Sequence, residues 1–98
     1  MDEIINKYCV IRGDRSGVFA GIVVKVEGQQ VELKNVRRIW RWDGACSISE
    51  LAVNGTKRPD NCKFTVVVKK LILTDVIEII PTTKEAEKSI KGVEEWKY

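Results

Sequence analysis

Gln30-Val31-Glu32-Leu33-Lys34-Asn35-Val36-Arg37-Arg38-Ile39-Trp40-Arg41-Trp42 reads as one long strand whose alternation slips once. Val31 and Leu33 alternate with Glu32 and Lys34, the pattern of a strand with one face on a core. After Asn35 the phase changes, because Val36 and Ile39 fall on opposite faces. That slip predicts a bulge or bend near Asn35-Val36. Beyond it, three arginines and two tryptophans crowd into the six residues from Arg37 to Trp42. In an extended chain Arg38, Trp40 and Trp42 share one face, and Arg37, Ile39 and Arg41 the other. Neither set is an ordinary core face.

Working back towards the N-terminus, Glu27-Gly28-Gln29 is a tight turn and Val18 to Val26 a strand rich in β-branched residues. Gly21 inside that strand marks a bulge or a close backbone approach. Gly13 to Gly17 is a loop, and Tyr8 to Arg12 a first strand. Working forward, Asp43-Gly44-Ala45 ends the central strand. Ser47-Ile48-Ser49-Glu50 fits a capping box, and Asn54-Gly55 closes a short helix near 47–54. Cys62 to Thr74 reads as one long strand, and Val76 to Ile80 as a last strand stopped by Pro81. Thr82-Thr83 caps a C-terminal helix near 83–91, with Ala86 and Ile90 placed to pack on the sheet and Gly92 at its end. Trp96 and Tyr98 either pin the tail or meet a neighbouring subunit. The expected fold is α+β and mainly β, a bent antiparallel sheet or small half-barrel of about five strands carrying these two helices.

The 98 residues form a single domain, 1–98, with one core's worth of chain. Net charge is +3, but it is uneven. Residues 1–74 hold 13 Lys/Arg against 8 Asp/Glu, a net +5, while residues 75–98 hold 4 against 6, a net −2. A basic body with an acidic tail favours an anionic ligand on the body. There is no histidine, which removes the commonest general base and metal ligand. Cys9, Cys46 and Cys62 form no C-x-x-C pair and read as reduced, mostly buried thiols of a cytosolic protein. No signal peptide or membrane span is legible, so the expected location is the cytoplasm.

No catalytic constellation is present: no G-x-S-x-G, no P-loop, no clustered carboxylates. The expectation is a binder, without enzyme activity and without a metal or cofactor. Arginine is a planar fork suited to phosphate, and tryptophan a broad stacking surface. Together they suit a nucleotide or nucleic acid. The candidate ligand-binding set is Arg37, Arg38, Trp40, Arg41, Trp42, Asp43 and Ser47. Asp43 would accept from a base edge or ribose, and the helix starting at Ser47 would offer amides to a phosphate. The competing reading makes Trp40 and Trp42 core anchors with the arginines laid over them.

Tyr8-Cys9-Val10-Ile11-Arg12, Gly17-Val18-Phe19-Ala20-Gly21 and Arg37-Arg38-Ile39-Trp40-Arg41-Trp42-Asp43-Gly44-Ala45 resemble a family of small phage- and prophage-encoded proteins without assigned activity. Asn61-Cys62-Lys63-Phe64-Thr65 and Val76-Ile77-Glu78-Ile79-Ile80 extend the resemblance over nearly the whole chain. It implies a setting and no mechanism. Small phage proteins often disarm host defence, and one class sequesters cyclic nucleotide alarm signals as homo-oligomeric, non-catalytic sponges. The resemblance therefore implies a nucleotide-sequestering anti-defence protein acting in the host cytoplasm as a homo-oligomer. The alternatives are an RNA- or DNA-binding accessory protein of a phage, or a protein that inhibits a host enzyme by direct interaction.

Overall fold

The computed structural model describes residues 2–98. Its strands are β1 (Tyr8–Gly13), β2 (Val18–Glu27), β3 (Gln30–Arg41), β4 (Lys63–Phe64), β5 (Val68–Leu73) and β6 (Val76–Pro81). Its helices are α1 (Ile48–Asn54) and α2 (Lys84–Gly92), with short 3-10 turns at Asp2–Ile4 and Pro59–Asn61. The mainly β fold with two helices follows the sequence reading.

β3 organises the sheet. β2 runs antiparallel along one side of it, from Phe19 opposite Arg38 to Glu27 opposite Gln30. On the other side β3 has two partners in succession, β5 along Val31–Val36 and β4 at Ile39 and Arg41. The change of partner falls at the phase slip, where Asn35 takes φ 49°, a left-handed conformation that asparagine tolerates better than most residues. Gly21 faces the kink, and a Cβ there would stand 2.6 Å from the Cβ of Val36. Only glycine lets the two strands approach this closely.

The expected single strand from Cys62 to Thr74 is therefore two strands. β4 and β5 are separated by Thr65-Val66-Val67, which crosses the bend of β3. The Thr65 N–H donates to the Arg38 carbonyl at 2.9 Å, and Thr65 Oγ1 accepts from the Arg38 N–H at 3.0 Å. A partner strand cannot follow a kinked strand without a break of its own, and alternation within residues 62–74 carries no sign of that.

The sheet order is β4-β3-β2-β1-β6, with β5 also on β3. β5 and β6 thus lie on opposite margins, yet only Thr74 and Asp75 join them. The sheet curls until its margins meet at that end. There the Val76 N–H donates to the Gln29 carbonyl at 3.0 Å, and the Asp14 N–H to the Asp75 carbonyl at 2.8 Å. The Asp75 carboxylate accepts from the Arg15 and Ser16 amides and the Ser16 hydroxyl, pinning the β1–β2 loop.

Curling makes two cores. Inside the curl lie Cys9, Ile11, Phe19, Val23, Leu33 and Val36. On the outer face Tyr8, Val10, Ala20 and Ile39 pack under the helices with Leu51, Phe64 and Ile90. β1 is consequently buried on both faces. Ser47 caps α1, accepting from the Glu50 N–H at 3.1 Å, while Glu50 Oε1 accepts from the Cys46 N–H at 2.7 Å. Thr83 caps α2 through the Ala86 N–H, and Ala86 and Ile90 are fully buried. Among the described residues no helix is long and apolar enough to cross a membrane.

Candidate functional site

The Arg/Trp segment does not build one pocket; the structure distributes it over four places. Arg37 points into the outer core with Ile39, and only 3% of it is exposed. Its Nε donates to the Thr65 carbonyl at 3.0 Å, Nη2 to Phe64 at 3.1 Å, and Nη1 to Ile90 and Val93 at 3.0 and 2.8 Å. Ile90 and Val93 lie at the C-terminal end of α2, where the helix dipole favours a cation. Burial lowers the Arg37 pKa from its ordinary value. Arg37 is a structural cross-brace and leaves the ligand-binding set. Strand alternation placed it with Ile39, but nothing in the sequence said that the shared face was covered.

Arg38 lies on the opposite face, exposed, with its guanidinium carbon 4.5 Å from the centre of the Phe19 ring. Its Nη1 donates to the Ser16 carbonyl at 2.6 Å. It roofs the inner core and holds the β1–β2 loop, away from the other candidates.

Trp42 packs against the outer core. With Ser47, Ile48, Val18 and Arg12 it lines a cleft of about 430 Å³. Ser47 spends its hydroxyl on the α1 cap. Here the core-anchor reading of the tryptophan holds.

Trp40 is the contrary case, 64% exposed. Its ring stacks on Trp96 from the tail, with centroids 6.2 Å apart and planes 19° from parallel. The tail is placed by its backbone. The Trp96 N–H donates to the Phe64 carbonyl at 2.8 Å, and Glu95 forms a parallel bridge with Phe64. Phe64 O thus accepts from both Arg37 and Trp96, so the buried brace and the exposed ring share one anchor.

Beside the tryptophan pair is a cleft of about 460 Å³ lined by Arg41, Lys63, Asp43, Asp60, Asn61 and Trp96, so two cations and two carboxylates share it. Arg41 and Lys63 face each other directly across β3 and β4. Like charges placed opposite each other in a sheet repel. The Lys63 ammonium also lies 5.1 Å from the Trp96 ring centre. Asp43 is held within its own loop. It accepts from the Gly44 N–H at 2.7 Å and from Asn61 Nδ2 at 3.1 Å, with Arg58 3.8 Å away. These contacts, the Gly44 amide first, hold its pKa below the ordinary value. Its role is to fix the turn that carries Arg41 towards the cleft. Lys63, Asn61 and Trp96 were not in the sequence-based set. Trp96 had a signal, a large aromatic in a polar tail, while Lys63 is one lysine among many.

Cys9 and Cys62 are buried and Cys46 exposed, all three as free thiols. Burial pushes the Cys9 thiol up to about 11, which keeps it protonated. Among the described residues no three His, Cys, Asp or Glu side chains gather into a set that could hold a metal ion. No curated protein matches the chain. Residues 6–90, most of the chain, match the family described as "Domain of unknown function (DUF6948)", and the protein belongs to that family.

Proposed function

We propose that this protein is a small, non-catalytic nucleotide binder, and that as a phage protein it sequesters a cyclic nucleotide alarm signal in the host cytoplasm. The observation that carries the reading is the Arg41–Lys63 pair beside the exposed Trp40–Trp96 stack. Two cations opposed across a ladder repel each other until an anion lies between them, and a phosphate is such an anion. Trp96 lines the same cleft and stacks on the exposed Trp40, and this pair supplies the surface on which a base stacks. The set narrows to Trp40, Arg41, Lys63 and Trp96, with Asn61 at the cleft wall.

A homo-oligomer completes the proposal. Tyr98 is fully exposed, and a two-fold pairing would cover it. The test is titration calorimetry of the protein against cyclic di- and trinucleotides at 100 mM and 300 mM salt. Binding of one compound with modest salt dependence is expected. Arg41→Ala weakens it by about tenfold, the scale of one charge-assisted contact, and Arg38→Ala leaves it unchanged. Equal binding by wild type and Arg41→Ala would place the ligand elsewhere. Affinity only for single-stranded RNA or DNA, collapsing with salt, would replace the sponge by a nucleic-acid module.

A further inference from the structure

We infer that Trp40 and Trp96 form a two-sided clamp that closes on a single planar base, with the phosphate of the same ligand held between Arg41 and Lys63. The inference rests on the nucleotide reading above and adds how the ligand is gripped. Trp40 is carried by β3, whereas Trp96 rides on the tail, held by its N–H to the Phe64 carbonyl, by the stack on Trp40 and by Lys63 over its ring. One jaw stands on a strand of the sheet and the other on the tail beyond α2. Their planes are 19° from parallel and their centroids 6.2 Å apart. A flat ring in contact with both would need the planes about 7 Å apart, twice the contact distance of carbon atoms. At 6.2 Å between centroids the pair stands closed, so admitting a base requires the Trp96 indole to move outward. Both rings are open to solvent, at 64% and 44% exposure, so a base can enter from outside.

Charge selects the ligand. Arg41 and Lys63 line the cleft together with Trp96, and Lys63 is already held against the Trp96 ring. An aromatic pair bordered by two cations repels a cationic guest such as a quaternary ammonium. It favours a flat heterocycle that carries a negative group. Asp43 and Asp60 also line this cleft; Asp43 is engaged by Asn61, Gly44 and Arg58, which leaves the Arg41–Lys63 pair as the cationic side of a mixed-charge cleft.

The test uses the intact chain, with folding of each variant checked by circular dichroism. The probes are the four 5′-mononucleotides, ribose 5-phosphate, and the cyclic di- and trinucleotides, titrated to 100 µM by calorimetry and by tryptophan fluorescence. A nucleotide should bind and quench fluorescence, and ribose 5-phosphate should not bind. Trp40→Ala and Trp96→Ala should each weaken binding about tenfold or more, as expected for loss of a stacking face. If Trp40→Ala loses binding while Trp96→Ala binds like wild type, the base stacks on one face. The clamp is then overturned and the nucleotide reading stands. If ribose 5-phosphate binds as well as a nucleotide, the site takes phosphate alone and the clamp is again overturned. If no nucleotide binds the wild type, the reading of the cleft and the clamp fall together.

Discussion

Arg37, Arg38 and Arg41 are three arginines within five residues with three different roles, and what separates them is what covers each face of β3. Arg37 shares its face with Ile39 under α2 and binds four backbone carbonyls. Arg37→Ala would take the guanidinium from the Thr65 and Val93 carbonyls, while Phe64 and Ile90 keep the Trp96 and Val93 amides, and would remove the brace on the C-terminal end of α2. A loss of about 3 kcal/mol is expected from chemical denaturation, in the range for stranded buried polar groups. Arg37→Lys should recover part of it, because an ammonium cannot reproduce the planar fork. Arg41→Ala should change stability by less than about 0.5 kcal/mol, as for other exposed charges. Equal losses for the two alanine variants would contradict the assigned roles. Asp75 carries the residue-scale pH dependence. Its pKa is lowered, first by the Arg15 amide and then by the Ser16 hydroxyl. A carboxylate with a depressed folded pKa adds stability above its unfolded value, about 3.9, and that stability is lost as pH falls through the folded value. Asp75→Asn should lower thermal stability at pH 7 and flatten the acid slope below about pH 4; an unchanged slope would show that the carboxylate does not hold the loop.

The elements that alternation and capping define were legible: β1, β2, the phase slip in β3, the Ser47 and Thr83 caps, and the buried Ala86 and Ile90. What stayed hidden depends on contacts distant in sequence. The break between β4 and β5 is imposed by the kink in β3, and the Trp40–Trp96 stack joins residues 56 positions apart. Alternation assigned Arg37 to the face of Ile39 correctly, but one strand cannot report which of its faces a helix will cover. The Gly21–Val36 approach is the element-scale test. Gly21→Ala places a Cβ 2.6 Å from the Val36 Cβ, so the strands must part. A destabilisation of about 1–3 kcal/mol is expected, the usual cost of overpacking. Gly21→Ala combined with Val36→Gly, which removes the clashing Cβ, should cost less than the sum of the two single changes. Strict additivity in thermal melts would mean that the close approach does not constrain β3.

At the scale of the whole molecule, the curled sheet uses both faces for cores and leaves its chemistry to the margin where β3, β4 and the tail meet. A second pair of opposed cations, Lys34 and Lys70, lies on β3 and β5. It has no aromatic partner, and lysines on a strand at the sheet margin guard against edge pairing; the pair at Arg41 and Lys63 differs in having Trp40 and Trp96 beside it. On the proposed reading the tail adds to the binding site of a fold whose two cores it barely enters. Val93 is buried in the outer core and its carbonyl is braced by Arg37, whereas Glu94 to Tyr98 are exposed. Deleting residues 94–98 spares Val93 and removes Glu95, Trp96 and Tyr98. The circular dichroism spectrum should be unchanged, and the melting temperature should fall by only a few degrees, because the deletion removes one bridge to β4 and little core. Nucleotide affinity should drop about tenfold or more with the loss of Trp96. If Tyr98 also pairs two copies, light scattering at tens of micromolar should report a smaller mass per particle for the truncated chain beyond the residues removed. A truncated protein that unfolds would make the tail part of the core. One that folds and binds nucleotide as tightly as the full chain would remove Trp96 from the site and leave Trp40 as a single stacking face.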